Sequence, residues 1–219
     1  MFEINNVKIR WCGHDTFIID DSDKKICIDP YKLTKSIKTD IILISHSHFD
    51  HLSIEDLSKV ADNNSIIISS MECIDKISHI KCKQIIGMLP YDEKIIYNIK
   101  IKAVPAYNIN KINPDTKKPF HPKRDNKVGF LINIQNVSIY YIGDSDFIPE
   151  MNEIKTDVLL IPVSGTYVMN VQEAASVIDK IRPKLAIPMH YGTIVGSISD
   201  AYELKKIVNC CNVEILTKE

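Results

Sequence analysis

Residues Ile41–His51 read IILISHSHFDH, and no other segment constrains the chain so tightly. The apolar run Ile41–Ser45 is too short for a helix of average length and suits a buried strand. Directly after it come His46, His48, Asp50 and His51. In extended chain, side chains alternate faces, so His46 and His48 point the same way. Asp50 and His51 follow once the chain has begun to turn and approach the same point from another side. Neutral imidazoles with a carboxylate are the usual ligands of zinc and other divalent transition metals. Three of the chain's seven histidines fall within these six positions, at a strand end, where α/β sheets place their sites.

A chain of 219 residues, 45% of them hydrophobic, can bury a large core, and the expectation is a single domain over residues 1–219. Its formal net charge of −1 offers no basic field for nucleic acid. The first twenty residues show no signal-peptide apolar region, and no apolar run approaches the ~20 residues of a membrane span, so a cytoplasmic protein is expected. Cys12, Cys27, Cys73, Cys82, Cys210 and Cys211 show no CxxC spacing and read as reduced structural thiols.

Strands are expected at Val7–Trp11, Thr16–Ile19, Lys25–Asp29, Asp40–Ser45, Ser65–Ser69, Lys94–Val104, Lys127–Ile134, Val137–Ile142, Asp157–Pro162, Lys184–Pro188 and Val213–Leu216. Ser53 is placed to cap a helix with Glu55 and Asp56 in its first turn. Further helices are expected at Met71–Ser78, Val171–Ile181 and Ser199–Val208. No internal repeat stands out. Tyr107–Asn126 reads as a long polar loop. Early strands in a meander and later strands alternating with helices suggest packed sheets with helices outside.

Three further strand ends repeat the pattern of the first. Ser138–Gly143 leads to Asp144, which could bridge two metals; Leu185–Met189 leads to His190; Ile26–Ile28 leads to Asp29, a candidate to hold a ligand histidine's N–H from behind. The order Asp29, HSHFDH (46–51), GDSD (143–146) and PMHYGT (188–193) resembles the metallo-β-lactamase-fold hydrolases. Together with WCGHDT (11–16), YIGDSDFIPEM (141–151) and KLAIPMHYGT (184–193), it is similar to the branch that contains bacterial L-ascorbate-6-phosphate lactonase and many metal-dependent hydrolases of unassigned substrate. The resemblance runs from Val7 to Thr193. It implies an α/β (α+β) fold, a four-layer αββα sandwich with the metal site at one edge between the sheets.

Carried over position by position, the resemblance implies that His46 and His48 bind a first metal, Asp50 and His51 a second, that Asp144 bridges, and that His190 completes the second site. The family places a third first-site histidine where this chain has Asn108, a weak, neutral ligand. The first site is then weakened, the enzyme uses one metal, or His121 of the nearby loop substitutes. His14 is placed near the site mouth, as substrate contact or support. The cofactor expected is one or two divalent metals per chain, zinc or manganese, with nickel or iron as alternatives. The expected reaction is hydrolysis by a metal-bound hydroxide, with Asp50 orienting the nucleophile or accepting its proton. Lys111, Lys117, Lys118, Lys123, Arg124 and Lys127 against Asp115 and Asp125 suggest a basic lid over an anionic ester, lactone or phosphodiester. Tyr107, Lys118, Lys123, His14 and His121 are the candidate substrate contacts. The alternatives are a mononuclear or non-catalytic metal-binding protein on the same scaffold, or a nucleic-acid phosphodiesterase. Homo-oligomer formation is left open.

Overall fold

The computed structural model describes residues 1–219 as two seven-stranded sheets packed face to face. The first sheet runs in chain order: β1 (Phe2–Ile4), β2 (Val7–Gly13), β3 (Thr16–Asp20), β4 (Lys25–Ile28), β5 (Ile41–Ile44), β6 (Ile66–Ser70) and β7 (Gln84–Met88). The second holds β8 (Glu93–Ile96), β9 (Ile99–Pro105), β10 (Val128–Ile134), β11 (Val137–Tyr141), β12 (Val158–Pro162), β13 (Leu185–Met189) and β14 (Asn212–Val213). Each sheet begins antiparallel and turns parallel, at β4–β5 in one and at β11–β12 in the other. The halves thus share a topology that no repeat in the sequence announces.

The parallel strands are buried on both faces, which explains their near-continuous apolar runs. In the first sheet, Ile26, Ile28, Ile41, Leu43, Ile66 and Ile68 face the core between the sheets. Their alternates Cys27, Ile42, Ile44 and Ile67 pack outward with Leu57, Val60, Cys73 and Ile77 of helices α1 (Ile54–Val60) and α2 (Ile74–Ile77) and the turn before α2. Helices α3 (Val171–Ile181) and α4 (Ile198–Ile207) contact each other, with α3 against β12 and α4 against β13 and β14. The result is the four-layer αββα sandwich. Ser53 caps α1 by accepting the Asp56 N–H (3.2 Å), and Asn170 and Glu173 form a reciprocal capping box at the start of α3. No helix is long and apolar enough to cross a membrane.

Several boundaries differ from expectation. The stretch Lys94–Val104 is two strands: the chain reverses at Tyr97-Asn98, both at positive φ, pairing Ile96 with Ile99. Asn5-Asn6 and Gln135-Asn136 turn in the same way. A two-residue reversal with both φ positive matches the right-handed twist of the strands, and Asn tolerates it. The apolar alternation runs straight through Tyr97 and hides that turn. β1 and β7 were not expected, because one is very short and the other lacks a clean alternation. The final strand is only Asn212–Val213. Met71–Ser78 is a 3₁₀ turn, Met71–Cys73, leading into α2.

Candidate metal centre

The ends of β2, β5, β11 and β13 meet at one rim of the sandwich and bring their polar residues together. Gly143, at positive φ and with Val128 O only 3.2 Å from where a Cβ would stand, turns the chain from β11 so that Asp144 faces the rim. His14, Asp29 and His190 all adopt positive φ, an uncommon conformation for such side chains that clusters at functional sites. The His190 N–H donates to the His14 carbonyl (3.2 Å), which joins the ends of β13 and β2 across the two sheets.

Three overlapping sets of donors converge, the third made of His14, Asp50, His51 and His190. In the first, Nε2 of His121 lies 3.3 Å from Nδ1 of His48 and 3.2 Å from Oδ2 of Asp144, which is 3.9 Å from Nε2 of His46. In the second, Nε2 of His51 lies 3.3 Å from Oδ1 of Asp144 and 3.6 Å from Oδ2 of Asp15, and Nε2 of His190 is 3.5 Å from Asp144 and 3.8 Å from Asp15. Asp144 belongs to both of these sets. Nε2 of His14 donates to Oδ2 of Asp50 (2.9 Å) and lies 3.2 Å from Asp15; Asp50 is also 3.8 Å from Nε2 of His51.

The imidazoles are oriented from behind. Asp29 is fully buried, and its carboxylate accepts from the Ser45 N–H and hydroxyl, the Tyr141 hydroxyl (2.6 Å) and Nδ1 of His51 (2.8 Å). Nδ1 of His46 donates to the Ser45 hydroxyl (3.0 Å), and Nδ1 of His190 pairs with that of Ser164 (2.8 Å). A ring proton held on Nδ1 leaves an Nε2 lone pair for the centre.

Asn108 joins none of the sets, which corrects its expected role as a weak ligand. Its carbonyl oxygen accepts from both the N–H and Nδ1 of His121 (2.9 Å each), and its amide nitrogen donates to Asp146 and to the Tyr167 carbonyl. The loop histidine stands in the cluster and the amide stands behind it. Asp15 was missed altogether. It is fully buried, yet both of its carboxylate oxygens lack a hydrogen-bond partner. In the sequence an acid after Gly-His looks like a turn residue; the one available signal was its place just before an inward-facing strand.

Charge within the cluster is uneven. Burial, then the neighbouring His51, holds His46 far below the ordinary imidazole range. Burial, with His121 and Lys127, holds His48 at about 4. Burial opposes charge on His190 and His51 as well, but the carboxylates beside them prevail: Asp15 and Asp144 raise His190 to about 9, and Asp144 and Asp29 raise His51 well above its ordinary value. Burial also pushes the Asp15 carboxyl up, against the pull of His190, His14 and His51.

Seven buried atoms in the cluster have no hydrogen-bond partner: Nδ1 of His14, both Asp15 oxygens, Oδ1 of Asp144, and Nε2 of His46, His51 and His190. Buried polar atoms are rarely left so, because each costs about 1–3 kcal/mol. All seven are metal-ligating atom types, so this donor set fits divalent cations.

Above it opens a cleft of about 510 Å³ with His48, Asp50, His121 and Asp144 at its floor. The other expected contacts lie elsewhere. His14 is 1% exposed, beneath the floor rather than at a mouth. Tyr107, Lys118 and Lys123 border a separate recess with Arg124, the Tyr107 hydroxyl donating to Glu150 (2.9 Å). The basic lid is corrected too. Lys123 pairs with Glu150 (2.8 Å), Lys111 with Glu173 (2.6 Å) and the buried Lys127 with Glu72 (2.9 Å). No lysine or arginine lines the cleft.

Residues 8–190 match the model of the beta-lactamase superfamily domain. A UPF0173 metal-dependent hydrolase from Nanoarchaeum equitans is 34% identical over 204 residues, covering 91% of each chain. A UPF0173 protein from Pyrococcus furiosus is 29% identical over 225 residues, covering 97% of this chain and 96% of its own. Among solved structures, one described as a metal-dependent hydrolase from Parabacteroides distasonis has a TM-score of 0.83 at 28% identity, covering 96% of this chain and 94% of that one. Igni18, a metallo hydrolase from Ignicoccus hospitalis, has a TM-score of 0.78 at 23% identity, covering 97% and 95%. The narrower resemblance to ascorbate-6-phosphate lactonase gains no support from these matches.

Proposed function

The chain belongs to the beta-lactamase superfamily, and from that premise we propose that it is a metal-dependent hydrolase working at the floor of the cleft. The observation that carries this reading is the convergence of partnerless buried imidazoles and carboxylates on one rim. His46, His48, His121 and Asp144 would hold one divalent metal. His51, His190 and Asp15 would hold a second, with Asp144 shared and the Asp50 carboxylate beside His51 and His190. The histidine-rich first set suits zinc; the second, richer in oxygen, suits manganese or iron as well. Such ions, when bound, acidify a water and polarise the oxygen under attack.

The chain's residues divide the remaining work. Of the two carboxylates that border the cleft, Asp144 is shared between the sets and Asp50 is held in place by His14 (2.9 Å), so Asp50 orients the attacking water and accepts its proton. The hydrogen bond from His14 and the nearby His51 hold its carboxyl below the ordinary range despite burial, which keeps it ionised and able to accept. Asp15 is sealed from the cleft and serves only to hold charge. The amide of Asn108 supports His121 from behind, which favours the catalytic reading over the non-catalytic one.

Elemental mass spectrometry on protein purified without chelator should find close to two metals per chain. Asp50→Asn should keep fold and metals while losing at least about a hundredfold in turnover of a lactone, ester or phosphodiester, the lower end for a positioned proton acceptor. Undiminished turnover in that variant removes Asp50 from its role; absence of bound metal in the wild type removes the whole reading.

A further inference from the structure

The walls of the cleft are chemically unlike its floor. Phe49 rises beside the floor on the loop between His48 and Asp50, 66% exposed and edge-on to Tyr31 (6.0 Å). Phe120 and Tyr167, edge to face at 4.8 Å, and Ile194 line the same cleft. An isolated exposed aromatic is ordinary, but four large apolar side chains around one polar floor form a binding surface.

The absence of cations from this wall has a structural cause. None of the cations of the loop of residues 111–127 lines the cleft, and three of them are paired elsewhere. Lys111 reaches Glu173 and Asp146, Lys123 lies over the Tyr107 ring (4.7 Å) and on Glu150, and Lys127 is buried against Glu72. What the same loop gives to the cleft is Phe120 and His121. The floor itself adds the carboxylates Asp50 and Asp144, so no side-chain cation in the cleft is placed to meet a phosphate dianion.

Resting on the reading of this rim as a hydrolytic centre, we propose that the cleft takes an uncharged carboxylic ester or lactone with an apolar body, seated among Phe49, Phe120, Tyr167 and Ile194. Its volume accommodates a body of benzyl or naphthyl size. A phosphorylated substrate is the competing outcome.

The test uses the metal-loaded full chain. Specificity (kcat/KM) for p-nitrophenyl butyrate should exceed that for the acetate roughly tenfold, the worth of two buried methylenes. It should also exceed that for p-nitrophenyl phosphate and bis-p-nitrophenyl phosphate. Phe49→Ala and, separately, Ile194→Ser should raise KM for both esters, and for the butyrate severalfold more than for the acetate. Because Phe49 neighbours two floor residues, the Ile194 variant guards against a general disturbance. Calorimetry gives a readout free of turnover: uncharged, unreactive 4-phenylbutyramide should bind more tightly than phenyl phosphate. Preference for the phosphates, or tighter binding of phenyl phosphate, overturns the proposal while leaving a hydrolase. No turnover of any ester or phosphate by metal-loaded protein overturns the hydrolytic reading, and this inference with it.

Discussion

Asn108 shows how one amide can complete a site without entering it. A histidine supplied by a loop has more freedom than one at a strand end, and His121 sits thirteen residues beyond Asn108 in a polar connection. The amide removes that freedom by binding the backbone and the ring of His121 with one oxygen while its nitrogen is tied to Asp146 and Tyr167. Partners that orient a ligand ring are worth roughly ten- to a hundredfold in metal affinity. Asn108→Ala should therefore weaken one of two bound equivalents by about that factor, with the other unchanged, in a competition titration against a chelating dye. Equal weakening of both equivalents, or of neither, would separate Asn108 from the first position. Asp146 adds to the scaffold by accepting the N–H groups of Ile109 and Asn110 (2.6 and 2.8 Å), which fixes the start of the loop.

Glu72 does comparable work between elements. It lies in the 3₁₀ turn after β6, accepts the Ser47 N–H (2.8 Å) between the two first-site histidines, and pairs with Lys127 at the head of β10 (2.9 Å). One carboxylate thus ties the histidine loop to both sheets. Burial alone would raise its carboxyl, but Lys127 and Ser47 hold it below the ordinary value. Because the folded value is depressed, this stabilisation is complete above the unfolded carboxylate pKa of ~4.3 and is lost as pH falls through the folded value. Glu72→Gln strands a nearly buried ammonium and should cost about 3 kcal/mol at pH 7 by urea unfolding. The difference from wild type should shrink below about pH 4; a difference that does not vary with pH would rule out the ion pair as its source. The sequence disclosed less of this long-range arrangement than of local pattern. Strands buried on both faces, capped helices and the donor-bearing ends of β5, β11 and β13 were readable, since each is written in consecutive residues. The Tyr97-Asn98 reversal was hidden by unbroken apolar alternation. Asp15, the sequestered lysines and the choice between Asn108 and His121 depend on distant segments meeting, which no local pattern encodes.

The molecule as a whole holds its metal donors on both sheets: His46, His48, His51 and Asp15 come from the first half of the chain, and His121, Asp144 and His190 from the second. Bound cations therefore join the two halves at the rim, as the core joins them inside. A ligand that binds only the folded state at a hundred times its Kd adds ~2.7 kcal/mol, which for a domain of this size raises Tm by roughly 5–10 °C. That increment should depend on pH with a definite sign. In the metal-free chain, burial opposes charge on His190, yet Asp15 and Asp144 raise it to about 9. A raised folded value means that the proton's stabilisation is complete below the unfolded imidazole pKa of ~6.5 and is lost as pH climbs through about 9. A metal at the second position would displace that proton and the one held on His51, whose value is raised as well, so its affinity gains with pH over this interval, about tenfold per pH unit for each proton displaced. His48, at about 4, has no proton to give up in this range. Scanning calorimetry of chelator-stripped and reloaded protein at pH 6, 7 and 8 should show the gap in Tm widening with pH. A constant gap, with stripping verified by elemental analysis, would show that the second position is not held by these residues.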